Sequence, residues 1–154
     1  MQTIEQFLAY AVKLEEEASL RFGQLADSMQ SCGNVEVSKL FRRLADYSRM
    51  HLADARARSG FRDIPVLQPN EFVWPDVESP ETAAIWAADP FIGREQALEV
   101  ALAAETASRD YYRHILETTD DPEIRTMAQE FADEEAQHVA ELQKWQAMPA
   151  PRGP

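Results

Sequence analysis

The sequence predicts an all-α protein, a bundle of four long helices, and three observations lead to this fold class. Glycine is scarce, at 5 of 154 residues, which favours regular helix. Apolar residues recur at steps of three and four through four long segments. A short loop, a long connector and a second short loop join these segments in turn. Because short loops make neighbouring helices antiparallel, we expect two antiparallel hairpins joined by one crossover connector.

The first hairpin is predicted to contain helices over residues 3–31 and 35–59. The inward stripe of the first helix consists of Ile4, Leu8, Ala11, Glu15, Ala18, Phe22, Leu25 and Met29. Gly33 is the expected stop and Asn34 the expected N-cap of the next helix. That helix ends at Gly60, and its inward stripe consists of Val37, Phe41, Leu44, Ser48, His51 and Ala55.

The connector, residues 61–92, cannot form one long helix, since it contains Pro65, Pro69, Pro75, Pro80 and Pro90. A short helix over residues 80–88, capped by Ser79, fits its pattern. Trp74 and Trp86 indicate that the connector packs onto the bundle, either along its side or as a cap at its end.

The second hairpin is predicted to contain helices over residues 93–118 and from Asp121 to about Ala147. The inward stripe of the third helix is Leu98, Ala101, Glu105, Ser108, Tyr112 and Ile115; that of the fourth is Ile124, Ala128, Phe131, Glu135, His138, Leu142 and Trp145. Asp121-Pro122-Glu123 combines an N-cap, a first-turn proline and an acid near the positive helix end. We therefore expect one domain over residues 1–148 and a disordered tail over residues 149–154.

Composition limits the classes of partner and setting. The net charge is −12 at pH 7, which disfavours nucleic acid and anionic lipid as partners. The single cysteine, Cys32, permits neither an internal disulfide nor a cysteine metal cage. The first residues, MQTIEQFLAYAVKLEEE, lack the features of a signal peptide, and no segment is apolar enough to span a membrane. The expected setting is the cytoplasm.

An internal repeat places polar residues on all four inward stripes. LEEEASLRF (14–22) aligns with AETASRDYY (104–112), and LADYSRMH (44–51) aligns with FADEEAQH (131–138). Glu15 therefore corresponds to Glu105, His51 to His138, and Ser48 to Glu135. At about 1.5 Å rise per residue, counting from the loops puts all of these groups in one layer, within about one turn.

A glutamate three residues before a histidine is common on a solvated helix face in so acidic a chain. These groups, however, interrupt the apolar stripes, and bare carboxylates in a dry core would cost several kcal/mol each, on the order of a buried unpaired charge. Protonation could relieve the repulsion, but a divalent cation relieves it better. Imidazole and carboxylate suit iron, manganese or zinc. His114 lies on the opposite helix face and is predicted to be exposed. Tyr112 and Tyr47 are expected to be core residues, with a redox role as the alternative.

On these residues the chain resembles the rubrerythrin-like branch of the ferritin-like di-iron carboxylate proteins. Such sites take one glutamate from each of two helices and Glu-x-x-His from the other two. The resemblance implies a ferritin-like four-helix bundle and a metal site built from Glu15, His51, Glu105, Glu135 and His138. It also implies iron as the cofactor, two ions in number, and reaction with peroxide or dioxygen.

Two departures from the family pattern qualify what the resemblance implies. Ser48 stands where the second Glu-x-x-His would have its glutamate, so the second ion should be weakly held or absent; Asp54 fits the rim of the site better. One cysteine cannot build the cysteine-ligated iron module of full-length rubrerythrins, so an enzyme would need an external electron donor.

Two functions are therefore predicted. The first is a non-haem peroxidase or ferroxidase; the alternative is a non-catalytic binding or interaction module with one structural metal or none. The resemblance also implies a homodimer.

Overall fold

The computed structural model describes residues 3–31, 33–60, 62, 64–68 and 94–148. In these ranges four helices are present: α1 (Ile4–Ser31), α2 (Val35–Ser59), α3 (Arg94–Thr118) and α4 (Pro122–Ala147). No strand occurs among the described residues. The predicted all-α class and the bounds of the four long helices are confirmed. The predicted helix over residues 80–88, Ser79, Trp74, Trp86 and the tail lie outside the described residues.

The turn between α1 and α2 follows from one glycine. Gly33 has a φ of 80°, a left-handed conformation that glycine adopts without steric cost. The amide of Gly33 donates to the carbonyl of Gln30, and that of Asn34 to Met29, which is the bonding pattern of a Schellman motif. Asn34 stands at the N-cap of α2, but its side chain makes no capping hydrogen bond.

Helix α4 begins as predicted. The Asp121 side chain accepts hydrogen bonds from the amides of Glu123 and Ile124, and Pro122 occupies the first helical position. These bonds satisfy amides that lack a partner within the helix. Because the start of α4 is set this way, the phase of its inward stripe relative to the loop is defined, and with it the depth of Glu135 and His138.

The hairpins pack as antiparallel neighbours. Within the first hairpin, the Ser38 hydroxyl donates to the carbonyl of Ala26 at 2.7 Å. Between the hairpins, Phe7 of α1 stacks on Phe131 of α4 with 6.0 Å between ring centroids. Arg58 of α2 pairs with Glu130, while Arg43, four turns earlier on α2, pairs with Glu141 further along α4. Helices α2 and α4 therefore run in opposite directions.

The described residues form a buried core with two apolar clusters. One, near the α1–α2 turn, contains Phe22, Phe41, Leu98 and Leu142 among its members. The other contains Phe7, Tyr112, Ile124 and Phe131 among its members, towards the α3–α4 turn. In every helix, the polar residues of the inward stripe lie between the segments that supply these clusters. A polar layer thus divides an otherwise apolar core.

Candidate metal centre

All four helices contribute buried polar side chains to this layer. Glu15, Glu105 and Glu135 are 3%, 2% and 1% exposed, and Ser48 is 3% exposed. The side chains of His51 and His138 are each 13% exposed. The structure therefore brings together, inside the bundle, all five residues that the sequence predicts as ligands. Whether each of them binds a metal stays a prediction.

His51 faces the layer through one ring nitrogen and its rim through the other. Its Nδ1 lies 3.3 Å from Glu135 Oε1 and 3.5 Å from Glu15 Oε1. Its Nε2 lies 3.1 Å from Oε2 of Glu134, a residue absent from the predicted site. The partner of one imidazole nitrogen determines which nitrogen carries the proton. Glu134 Oε2 makes no hydrogen bond in the structure, but the charge of a carboxylate this close to Nε2 favours a proton on that nitrogen and leaves the Nδ1 lone pair for a cation.

His138 is held differently. Its Nδ1 lies 3.6 Å from Glu105 Oε2 and 3.7 Å from Glu135 Oε2, and both distances are too long for a hydrogen bond. Its ring stacks between two others: Tyr47 on one side, with centroids 4.5 Å apart, and His51 on the other, 5.1 Å apart. Ring packing therefore dominates the surroundings of His138, whereas carboxylates lie beside both nitrogens of His51.

The three carboxyl groups differ in charge because they differ in neighbours. Burial, together with the adjacent charge of Glu135, raises the pKa of Glu105 well above its usual value. Burial also raises the pKa of Glu15. For Glu135 burial acts in the same direction, but hydrogen bonding from Glu105 contributes to a net lowering of its pKa. These opposite directions favour a proton on Glu105 and a negative charge on Glu135.

The histidines supply positive charge to the metal-free layer. Burial opposes the charged form of both rings, yet the neighbouring carboxylates outweigh it. Glu135 and Glu15 raise the pKa of His51 to about 11, and Glu105 and Glu135 raise that of His138 to about 9. Near neutral pH both imidazoles are therefore protonated. Protons neutralise the carboxylates in the absence of a cation, and a cation that binds must displace them.

The donor set of this layer fits a metal ion. Within the described part of the chain, four atoms of the layer and its rim are buried without a hydrogen-bond partner: Glu15 Oε2, Glu134 Oε2, Glu135 Oε2 and His138 Nδ1. Such atoms carry a desolvation cost that a bound cation removes. His51, Glu135 and His138 can each offer one ligand atom, and these atoms lie within 4.8 Å of one another. Nitrogen and carboxylate oxygen donors suit iron, manganese and zinc.

The remaining predictions for this region are resolved by packing. Asp54 pairs with Arg58 at 3.3 Å instead of entering the layer. His114 is exposed, as predicted. Tyr112 is 1% exposed, and its ring contacts Phe7 and Phe131, so it packs in the core.

Sequence reasoning missed Glu134. The residue is 39% exposed and lies beside the inward stripe of α4, so by periodicity it belongs to the solvated face. Only the internal repeat carried a signal, because Glu134 directly precedes Glu135 in the aligned segment while Tyr47 precedes Ser48. In the structure these two residues, which hold equivalent positions in the repeat but differ in chemistry, each contact the histidine of the opposite hairpin.

Comparisons with known proteins agree with this fold. A family model described as Rubrerythrin matches residues 6–85, which include Glu15 and His51. The chain is also similar to an uncharacterized conserved protein of known crystal structure from Magnetospirillum magnetotacticum MS-1. The two share 31% sequence identity over 99% of this chain and 100% of the other, with a TM-score of 0.74. No curated protein matches the chain.

The described helices include none with a stretch both long and apolar enough to cross a bilayer. A four-helix bundle of two antiparallel hairpins, a buried layer of histidine and glutamate, and the match over α1 and α2 lead to one conclusion. The chain belongs to the rubrerythrin family and has a ferritin-like fold.

Proposed function

We propose that the protein binds iron in the polar layer and acts as a non-haem oxidoreductase of the peroxidase or ferroxidase kind. One observation carries this proposal: two buried carboxylate oxygens and a buried imidazole nitrogen, from Glu15, Glu135 and His138, lack hydrogen-bond partners among the described residues. They belong to a group whose donors suit iron. Family membership favours iron over manganese or zinc, which the same donors also accept.

Each residue of the layer has a distinct part in this function. Glu135 and the Nδ1 atoms of His51 and His138 would hold the first ion, with Glu15 and Glu105 available to a second. Bound iron would supply redox chemistry and polarise an oxygen species. The two apolar clusters on either side exclude water from the layer. Burial raises the pKa of Glu105, which favours a proton on its carboxyl group until a cation displaces it. Electrons would come from an external donor.

A second function is favoured by Ser48. This residue is buried at the position where Glu135 stands in the other hairpin, so three carboxylates instead of four are buried in the layer among the residues that the structure describes. The group with converging ligand atoms, His51, Glu135 and His138, is sufficient for one ion. A ferritin-like binding module with a single structural metal, and no turnover, is therefore the alternative.

Metal stoichiometry distinguishes the two functions. Metal-free protein would be titrated anaerobically with Fe²⁺ and the bound iron counted, and the loaded protein would then be mixed with hydrogen peroxide and its absorption recorded. A matched pair of variants identifies the site: His138→Asn removes a buried imidazole of the layer, whereas His114→Asn removes an exposed one.

Two irons per chain and an absorption band that changes with peroxide support the oxidoreductase. One tightly bound ion without a response to peroxide supports the structural module. Loss of iron in His138→Asn, with retention in His114→Asn, locates the ion in the layer. If the wild-type protein and His114→Asn both bind no divalent metal, the metal-binding proposal is wrong.

A further inference from the structure

A small cavity adjoins the polar layer between α2 and α4. His138 forms part of its lining, and Leu40, Leu44 and Leu142 form apolar walls. Arg43, Tyr47, Glu141 and Trp145 complete the lining. The cavity has room for about one water molecule. It therefore leads towards a predicted ligand from the side of the bundle where α2 meets α4.

Tyr47 lines this cavity, and it is half-buried beside the exposed Arg43. Its ring lies flat on the ring of His138, with an interplanar angle of 16°. Its hydroxyl accepts a hydrogen bond from Arg43 Nε at 2.8 Å and donates to Glu141 Oε2 at 3.4 Å. The ring thus covers His138, and the hydroxyl anchors the ring to both helices.

Arg43 connects the other parts of this cover. Its guanidinium pairs with Glu141 at 2.6 Å across the α2–α4 interface and lies 5.3 Å from the ring centre of Trp145. The Arg43 and Glu141 side chains are 50% and 30% exposed. An ion pair this exposed contributes little stability and opens readily. The cover over His138 is therefore held by contacts that can break without disturbing the core.

We propose that Tyr47 determines the size of molecule that reaches His138. With its hydroxyl bound to Arg43 and Glu141, the passage admits molecules of the size of water or hydrogen peroxide, and its leucine walls disfavour charged ones. Displacement of the Tyr47 ring opens the passage to larger reagents. The inference deepens the proposed function and rests on it for its chemical meaning, but the passage itself is a property of the metal-free protein.

The test measures access with a thiol placed inside the passage. In a Cys32→Ser background, Leu44→Cys puts a single thiol in the apolar wall. Leu8→Cys puts one in the other apolar cluster, where Leu8 is equally inaccessible at 0% exposure. Each is treated with methyl methanethiosulfonate, which is small and neutral, and with dithiobis(nitrobenzoate), which is bulky and anionic. Rates are compared with Tyr47 intact, with Tyr47→Phe and with Tyr47→Ala.

With Tyr47 intact, we expect the Leu44→Cys thiol to react with the small reagent and to resist the bulky one. Tyr47→Ala should raise the rate with the bulky reagent at least about tenfold, and Tyr47→Phe, which loses only hydrogen bonds, about threefold. The Leu8→Cys thiol should be unaffected. If Tyr47→Ala also makes the Leu8→Cys thiol reactive, the bundle has loosened, and the rates in Tyr47→Phe are used to test the proposal instead. Equal rates at Leu44→Cys for intact Tyr47 and Tyr47→Phe would then overturn the proposal, as would equal rates for Tyr47→Ala in a bundle that has not loosened.

Because the thiol assay needs no metal, its result separates from that of the proposed function. If the thiol reacts faster in Tyr47→Ala but the protein binds no iron, the proposed passage is supported and the proposed oxidoreductase function is wrong. If the protein binds iron but neither Tyr47 variant changes the rate of the thiol reaction, the metal site is supported and the proposed passage is wrong.

Discussion

The two hairpins present the same inward positions to the core but equip them differently. The first supplies one carboxylate, Glu15, together with Ser48 and His51. The second supplies two carboxylates, Glu105 and Glu135, together with His138. All six are at least largely buried in one layer. The two hairpins are therefore alike in fold but different in charge. The second hairpin contributes more carboxylates to the layer than the first.

The asymmetry extends to the residues that hold the histidines. Glu134, on the second hairpin, contacts Nε2 of His51 on the first. The equivalent residue, Tyr47, stacks on His138 of the second. A carboxylate partner makes an imidazole a more basic ligand, whereas a stacked ring fixes its orientation without adding charge. Each half of the site thus depends on the other hairpin, and the two histidines differ as ligands.

Removal of Glu135 should have the largest effect, because this residue faces both histidines. We expect Glu135→Gln, which keeps the shape and removes the charge, to weaken metal affinity by more than about 100-fold, beyond the usual effect of residues that only orient a ligand. Calorimetric titration with Zn²⁺ measures the change. The matched control is Glu117→Gln on the exposed face of α3, which should bind as the wild type does. Equal affinities of the two variants would contradict the site.

The next largest effect is expected from a variant that gives both hairpins the same carboxylate. Ser48→Glu gives the first hairpin the carboxylate of the second, and we expect metal content to rise towards two ions per chain. In the metal-free protein the added buried carboxylate should destabilise the fold by several kcal/mol, the order typical of an unpaired buried charge.

Thermal unfolding of Ser48→Glu with and without metal measures both expected changes in stability, the loss without metal and the recovery with it. The melting temperature should fall below wild type without metal and recover on loading. Ser48→Gln, similar in size but uncharged, should not gain a second ion. A Ser48→Glu variant that remains at one ion per chain would show that the missing carboxylate does not limit the second site.

Loss of the carboxylate at the rim should have an intermediate effect. Glu134→Gln leaves every predicted ligand in place but weakens the partner of His51 Nε2, so metal affinity should fall about tenfold or somewhat more. The pH dependence of binding should change as well, since the basicity of His51 changes. Glu130→Gln, one turn earlier on α4 and paired with Arg58, is the matched control. If the pH dependence of metal binding is the same in Glu134→Gln and in the wild type, the contact between Glu134 and His51 is a packing contact without an effect on the basicity of His51.

The pH dependence of the wild-type protein tests the same two histidines without a substitution. The pKa values of His51 and His138, raised to about 11 and about 9, mean that both rings are protonated between pH 6 and pH 8. Metal binding displaces these protons, so the apparent affinity should increase as pH rises, by up to about tenfold per unit for each proton released.

Calorimetry of Zn²⁺ binding in buffers of different ionisation enthalpy counts the released protons. His51→Asn and His138→Asn each remove one imidazole, so each variant that still binds should release about one proton fewer than wild type. Proton release that is the same in all three proteins would show that these rings are not the groups displaced.

Local patterns in the sequence were sufficient to predict the helices and the five inward polar residues. Helix periodicity places Glu15 and Glu105 on the same stripes as the core residues, and Gly33 and Asp121 act within a few bonds of the turns that they shape. Such features depend on neighbours along the chain, and for this reason they are legible without a tertiary structure. Asn34 shows the limit even here, since its N-cap position was predicted correctly while its side chain makes no capping bond.

Tertiary structure alone decided how the two hairpins complete one another. Glu134 and Tyr47 lie off the inward stripes, and their contacts with His51 and His138 depend on the rotation of α2 against α4, which periodicity within one helix does not encode. The same packing determines that Nδ1 of His51 faces the carboxylates and that a cavity lies beside His138. The sequence by itself determined which residues face inward, because that is a property of each helix; the pairing of those residues is a property of the interface between helices.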